Sequence, residues 1–251
     1  MRGESVILHN INLDLKRGER VAILGPNGCG KSTLIKAMTS EIYPLVKPGM
    51  HVEIFGRQRW DLQQLKQKLG VVTSETPGKS ARHTTAFDAV LTGFFSSATL
   101  WPNLVVTEDM CLKAAEAMRH VGAESYAQQK LGTLSAGQQK RVMIARALVG
   151  SGNAPAERML LLDEPSNALD IAAQAELRRK MRELVQQGTG LILVTHQIAD
   201  IIPEIDRVLT MKDGRIVGDG TRDQMITEER LHDLFGVRVT VTERDGYLHA
   251  W

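Results

Sequence analysis

Hydrophobic and polar positions change period several times along the chain, and each change marks an element. Ile11, Leu13 and Leu15 alternate with Asn12, Asp14 and Lys16, a period of two that predicts a half-buried antiparallel strand. Beyond the Arg17-Gly18 turn, Val21-Ala22-Ile23-Leu24 is a continuous apolar run, as in a strand buried on both faces of a parallel sheet. A glycine-rich loop then opens a helix over about Lys31–Ser40, with Leu34, Ile35 and Met38 on one face. His51–Phe55 and Val71–Thr73 read as strands flanking a charged helix near Asp61–Leu69.

From about Pro77 to Gly150 the spacing is helical. Thr85 and Thr107 are placed to cap helices, the second carrying Met110, Cys111, Ala114, Ala115 and Met118 at helical intervals. Strands return at Met159–Leu162, Leu191–Thr195 and Arg207–Met211, and Asp213-Gly214 turns the chain toward Ile216-Val217. Gly236 can end a helix over about Glu228–Phe235. Val237, Val239 and Val241 then alternate with polar residues up to Asp245-Gly246 and Tyr247–Trp251, which predicts a small terminal hairpin. Strands alternating with helices predict an α/β core with a helical insertion.

Composition narrows the class. The chain has 251 residues, 43% hydrophobic, 24% charged and 4% aromatic, the mix of a folded α/β protein rather than a disordered or fibrous one. Lys+Arg 31 against Asp+Glu 29 leaves a formal charge of +2, too balanced to imply a nucleic-acid or anionic-membrane surface, so no nucleic acid is expected as a partner. Two cysteines, Cys29 and Cys111, exclude a disulfide framework and favour a reducing compartment. No apolar run approaches the ~20 residues that span a bilayer, and no apolar stretch follows Met1-Arg2-Gly3-Glu4 as in a signal peptide. A soluble, intracellular protein is expected.

The chemistry starts at Gly25-Pro26-Asn27-Gly28-Cys29-Gly30-Lys31-Ser32, which fills every fixed position of G-x-x-x-x-G-K-[ST] between an apolar strand and an amphipathic helix. Glycines let such a loop curl so that successive N–H groups meet anionic phosphate at a helix N-terminus. Lys31 then supplies a point charge to β- and γ-phosphates, and Ser32 a hydroxyl for Mg2+. Cys29 lies near that helix N-terminus, where a thiol pKa tends to fall. A redox-sensing role and a small tolerated side chain are the two readings, and Cys111 reads as packing. Met159–Leu162 ends in Asp163-Glu164-Pro165, and ligand chemistry collects at the carboxyl ends of strands in α/β sheets. Asp163 suits Mg2+ held through water, and Glu164 suits a water attacking the γ-phosphate. A third apolar strand ends at Thr195-His196, where the imidazole could reach the γ-phosphate, brace Glu164 or be structural.

Leu134-Ser135-Ala136-Gly137-Gln138 adds a further motif. Taken in order with Gly25–Thr33, Leu160–Pro165, Ser166-Asn167-Ala168-Leu169-Asp170 and His196, it makes the chain resemble the nucleotide-binding subunit of ABC ATPases from Ile7 to about Gly220. The resemblance implies a P-loop NTPase core, a mostly parallel sheet flanked by helices with an N-terminal antiparallel β part, plus an inserted helical subdomain. Residues 1–76 and 151–235 would form the core, 77–150 the helical subdomain and 236–251 a hairpin extension. It implies Mg2+-dependent ATP hydrolysis in a head-to-tail dimer, with each ATP between Gly25–Thr33 of one copy and Ser135–Gln138 of the other. Glu164, His196 and Lys31 would be catalytic, Ser32 and Asp163 would hold the metal, and Asp170 would link the two sites. Ser135 has the hydroxyl of a helix cap, and Gln138 and Arg141 would brace the signature helix.

Four departures stand against the family pattern. Ala136 replaces a glycine. Ser74-Glu75 occupies the lid-loop position where a glutamine is usual. Arg2 falls near the place of the adenine-stacking aromatic. Gly150–Arg158 is a long polar loop before the Asp-Glu strand. The leading expectation is the ATPase subunit of a membrane transporter, attached peripherally to the inner face of the cell membrane and partnered by a transmembrane permease and a second nucleotide-binding subunit, a homodimer. Leu234–Val237 and the valine-rich hairpin resemble importer subunits for iron chelates or oxyanions. The alternatives are a soluble ABC ATPase of cofactor assembly or ribosomes, and a degenerate nucleotide-binding module.

Overall fold

The computed structural model describes residues 6–45, 49–66, 68–73, 81–97, 99–150 and 158–251. In chain order the elements are β1 (Arg20–Leu24), α1 (Lys31–Met38), α2 (Leu62–Lys66), β2 (Leu69–Val72), α3 (Ala86–Leu91), α4 (Glu108–His120), α5 (Ala136–Gly150), β3 (Met159–Asp163) and α6 (Ile171–Gln186). They continue with β4 (Gly190–Thr195), β5 (Arg207–Lys212), β6 (Arg215–Thr221), α7 (Arg222–Met225), α8 (Glu228–Phe235), β7 (Val241–Arg244) and β8 (Tyr247–Ala250). The chain forms two compact units, one of residues 1–65 and 191–251, the other of residues 66–190.

In the first unit β1 lies parallel between β4 and β5, with Leu24 opposite both Thr195 and Thr210. Val21 to Leu24 are each at most 1% exposed, so the apolar run identified in the sequence is a strand covered on both faces. β5 and β6 form an antiparallel hairpin. Asp213 and Gly214 turn it with φ 46 and 72, the left-handed pair that a tight hairpin requires. Gly236, φ 74, ends α8 as expected. The terminal hairpin is present as β7–β8 and turns at Asp245-Gly246. Its β8 packs against the 3-10 turn Ile198–Asp200, and Arg222 Nη1 donates to the Gly246 carbonyl at 2.6 Å.

Three expected strands differ. Ile11–Leu15 alternates half-buried and exposed residues but joins no ladder, because half-burial of alternate side chains needs only an extended segment against a surface, not a partner strand. Among the described residues, the antiparallel ladders of this unit are β5–β6 and β7–β8. His51–Phe55 supplies only an isolated bridge, Ile54 to Arg57. The first strand of the terminal hairpin begins at Val241, with Val237 exposed at 55%.

In the second unit β2 and β3 pair in parallel, Gly70 opposite Leu160. A Cβ on Gly70 would fall 2.7 Å from the Ala147 carbonyl oxygen, so α5 lies directly on β2. Helices α3, α4 and α5 pack on one another. Thr85 and Thr107 cap α3 and α4 as expected, accepting from Asp88 N and Met110 N. Along α4 the buried residues are Ala114, Ala117 and Met118, while Ala115 faces out. Strands and helices alternate and most pairings are parallel, so the class is the expected α/β one.

Candidate functional site

The phosphate loop belongs to the first unit and leaves the end of β1. Gly25 N donates to Thr195 O at 3.3 Å, so the loop starts beside the end of β4. Lys31 is 6% exposed and its Nζ donates to the carbonyls of Gly25 at 2.8 Å and Pro26 at 3.0 Å. Two carbonyl acceptors offset part of the desolvation of a buried ammonium. Gly30, φ 106, opens α1, and Gly28 has φ 82. Ser32 is exposed on the first turn of that helix, while Asn27 and Gly28 are exposed at the loop's crest and Thr33 is half-buried. The loop thus presents a helix N-terminus, a lysine and a hydroxyl together, a set suited to polyphosphate.

Of the two readings of Cys29, the small packed side chain is the one its surroundings fit. It is 5% exposed, and burial pushes its thiol up against the lowering influence of the Lys31 ammonium. Desolvation outweighs the charge and the helix start, as expected for a packed side chain.

His196 follows β4 directly, and the register of β4 on β1 sets it beside the start of the loop. The turn after it is pinned by buried polar contacts. Thr195 Oγ1 donates to Asp200 Oδ2 at 3.0 Å, and Gln197 N donates to Thr195 Oγ1 at 2.9 Å. Asp200 is 1% exposed, so this network fixes the backbone on both sides of His196.

The carboxylates belong to the second unit. Asp163 ends β3 and is 8% exposed. Glu164 comes next with φ 45, a left-handed conformation that costs a non-glycine residue about 1–2 kcal/mol and is a frequent mark of functional sites. Asn167 holds it at two points. Asn167 N donates to the Glu164 carbonyl at 3.2 Å, and Asn167 Nδ2 donates to Glu164 Oε2. Lys140, from α5, donates through Nζ to the Thr73 carbonyl at 3.3 Å. Burial pulls its ammonium below the ordinary lysine value, and the Asp163 carboxylate opposes that pull.

The signature segment caps α5 reciprocally. Gln138 N donates to Ser135 Oγ at 3.3 Å and Ser135 N donates to Gln138 Oε1 at 2.9 Å, the arrangement of a capping box. Gln138 therefore braces the helix as expected. Ala136 takes the first helical position without a left-handed φ, so its methyl meets no backbone strain. Gly137 faces α6, where a Cβ would come 3.0 Å from the Ala173 Cβ. Arg141 pairs with Glu176 of α6 and donates to the Tyr126 hydroxyl at 3.0 Å. Asp170 caps α6, accepting from Ala173 N at 2.7 Å.

Gly25–Thr33 and His196 thus lie in one unit, and Asp163, Glu164, Ser135–Gln138 and Asp170 in the other. Ser74 and Glu75 lie outside the described residues, as do Arg2 and the polar loop 151–157. Asn167 and Lys140 were given no role by sequence reasoning. The one available signal was spacing: Asn167 is three residues after Glu164, the reach of a tight turn.

Residues 8–167 match the family profile described as ABC transporter. The hemin import ATP-binding protein HmuV of Deinococcus radiodurans is 34% identical over 239 residues, covering 94% of this chain and 87% of that protein. The structure of cbiO1 from Clostridium perfringens, part of the ABC transporter complex cbiONQ, is 29% identical with TM-score 0.70 over 90% of this chain and 86% of that one. The dimeric post-hydrolysis structure of the ATP-binding cassette MJ0796 bound to ADP and Pi is 28% identical, TM-score 0.67, over 88% of this chain and 94% of that one.

Proposed function

The chain belongs to the ABC transporter family of ATP-hydrolysing cassettes, and on that premise we propose that it powers a membrane importer by closing head-to-tail on a second copy of itself around ATP. Among the described residues no helix is long and apolar enough to cross a membrane, which suits a subunit attached peripherally to the inner face through a separate permease. Residues 77–150 are the surface we assign to that permease, and 236–251 an extension of the core.

Roles follow from the chemistry of each group. The N–H groups of residues 25–33 and the Lys31 ammonium bind the phosphates. Glu164 takes the proton of the attacking water, and His196 contacts the γ-phosphate. Ser135–Gln138 reach the partner's ATP, and Asp170 links the two sites. The lid-loop position falls to Ser74 and Glu75. The Ser32 hydroxyl and the Asp163 carboxylate are hard oxygen donors of the kind Mg2+ takes. These two groups would hold Mg2+ brought in with the nucleotide. Once bound it supplies neutralisation of phosphate charge.

The observation that carries the dimer reading is the capped start of α5. Ser135 and Gln138 hold it in a reciprocal cap, and Ser135 and Ala136 are exposed, as a helix start that receives a partner's phosphate requires. The test is light scattering of the purified Glu164→Gln chain with Mg2+ and ATP, together with tagged recovery of the wild type from native membranes. An ATP-dependent dimer and a co-purifying multi-span protein are the expected results. A monomer at saturating ATP, with recovery only from the soluble fraction, overturns the reading in favour of a soluble ATPase.

A further inference from the structure

Asn167 is the candidate that geometry adds to the reaction. We propose that it is a positioning residue for hydrolysis: its side-chain amide fixes the rotation of the Glu164 carboxylate, and so the direction from which that carboxylate meets water. The inference rests on the reading of Glu164 as the group that accepts the water proton. In that step the water oxygen bonds to the γ-phosphorus as its proton passes to Glu164. The bond to the bridging oxygen breaks, its electron pair stays with ADP, and the proton later returns to solvent with phosphate release.

Three observations support the role. The amide of Asn167 takes one carboxylate oxygen, Oε2, and holding one oxygen of a planar carboxylate sets the plane and aim of the other. Asn167 N also closes a turn onto the Glu164 carbonyl at 3.2 Å, so backbone and side chain of Glu164 are held by the same residue. That turn is anchored at both ends. Upstream is the buried strand β3. Downstream, Leu169 N donates to Ser166 O at 3.1 Å, Ser166 is 1% exposed, and Asp170 caps α6. The Glu164 carboxylate is thereby tied through the turn to β3, as orientation-dependent catalysis demands. Asn167 is placed on no phosphate-binding element, so its effect belongs in kcat rather than in nucleotide binding.

The experiment compares wild type, Asn167→Ala, Asn167→Asp and Glu164→Gln for kcat, KM and ATP affinity, and repeats both Asn167 changes in the Glu164→Gln background under single-turnover conditions. Asn167→Asp keeps the shape of the turn while removing the donor. The expected result is a fall in kcat of about 10- to 100-fold in both Asn167 variants, with ATP affinity unchanged within about two-fold. Neither change should slow the Glu164→Gln protein further, because a residue acting only through the carboxylate has nothing left to act on. Near-normal kcat in folded Asn167→Asp overturns the proposal. So does an equal further loss in the Glu164→Gln background, which marks general support of the turn. Near-normal turnover in Glu164→Gln itself sinks instead the reading on which the proposal rests.

Discussion

Gly25 is pressed against the backbone of Met211: a Cβ on Gly25 would stand 2.3 Å from the Met211 carbonyl oxygen and 2.9 Å from Cys29 Sγ. The first of these neighbours is β5 backbone, which cannot swing aside as a side chain can. Gly25→Ala must therefore shift either the start of the loop or β5, at a cost of about 1–3 kcal/mol typical of overpacking. Urea unfolding should show that loss, and ATP titration a weakened complex, since Gly25 also supplies a carbonyl to Lys31 Nζ at 2.8 Å. Unchanged stability in the variant contradicts the contact.

Gly28 is needed for a different reason. Nothing lies within 4 Å of a Cβ built there, but its φ is +82. The penalty of a side chain is conformational rather than steric, about 1–2 kcal/mol for an alanine. Asparagine tolerates the left-handed region better, so Gly28→Asn should be more stable than Gly28→Ala. If the two unfold alike, backbone conformation is not what glycine provides at this position.

What the sequence made legible was whatever depends on near neighbours. The runs Val21–Leu24 and Met159–Leu162, the caps Thr85 and Thr107 and the stop at Gly236 are set by residues within a few positions. The phosphate loop was legible for the same reason, its glycines and Lys31 being contiguous. Ile11–Leu15 failed because alternation reports which side chains are covered, not whether a second strand supplies hydrogen bonds. Of the two readings of Cys29, the small packed side chain fits its burial, while the lowering expected from the local helix start is outweighed by desolvation. Asn167 escaped notice because its contact with Glu164 depends on a left-handed backbone at a non-glycine residue, which no propensity predicts. The link of Arg141 to Glu176 spans two helices and could not be read from either alone.

That link offers a test of the signature helix. Arg141 joins Glu176 and also donates to Tyr126 Oη, tying α5 to α6 and to the turn before it. The Arg141 side chain is 17% exposed and Glu176 38%, so solvent screens one partner. A double-mutant cycle of Arg141→Met and Glu176→Gln should give a coupling of about 0.5–1 kcal/mol. Arg141→Met alone should cost more, because it also removes the bond to Tyr126 and its packing over that ring. Additive single effects are the contrary outcome.

In the first unit the corresponding electrostatic tie is Arg207, whose Nε and Nη2 donate to the two carboxylate oxygens of Asp219 at 2.7 and 2.6 Å while Nη1 meets Glu19 at 2.9 Å. The bidentate bond to Arg207 holds the Asp219 carboxyl below its ordinary value. A carboxyl depressed in the folded state stabilises the protein above its unfolded pKa of roughly 3.9, and that contribution is lost as pH falls through the folded value. Asp219→Asn removes the titrating group and keeps the shape. At neutral pH the variant should be less stable by about 0.5–1 kcal/mol, a figure reduced for the 44% exposure of the Asp219 side chain. The gap should narrow below pH ~4 and shrink in high salt at neutral pH. Urea unfolding at several pH values measures it directly. A gap that persists undiminished into acid would mean that Asp219 acts through packing at the β5–β6 hairpin and not through its charge.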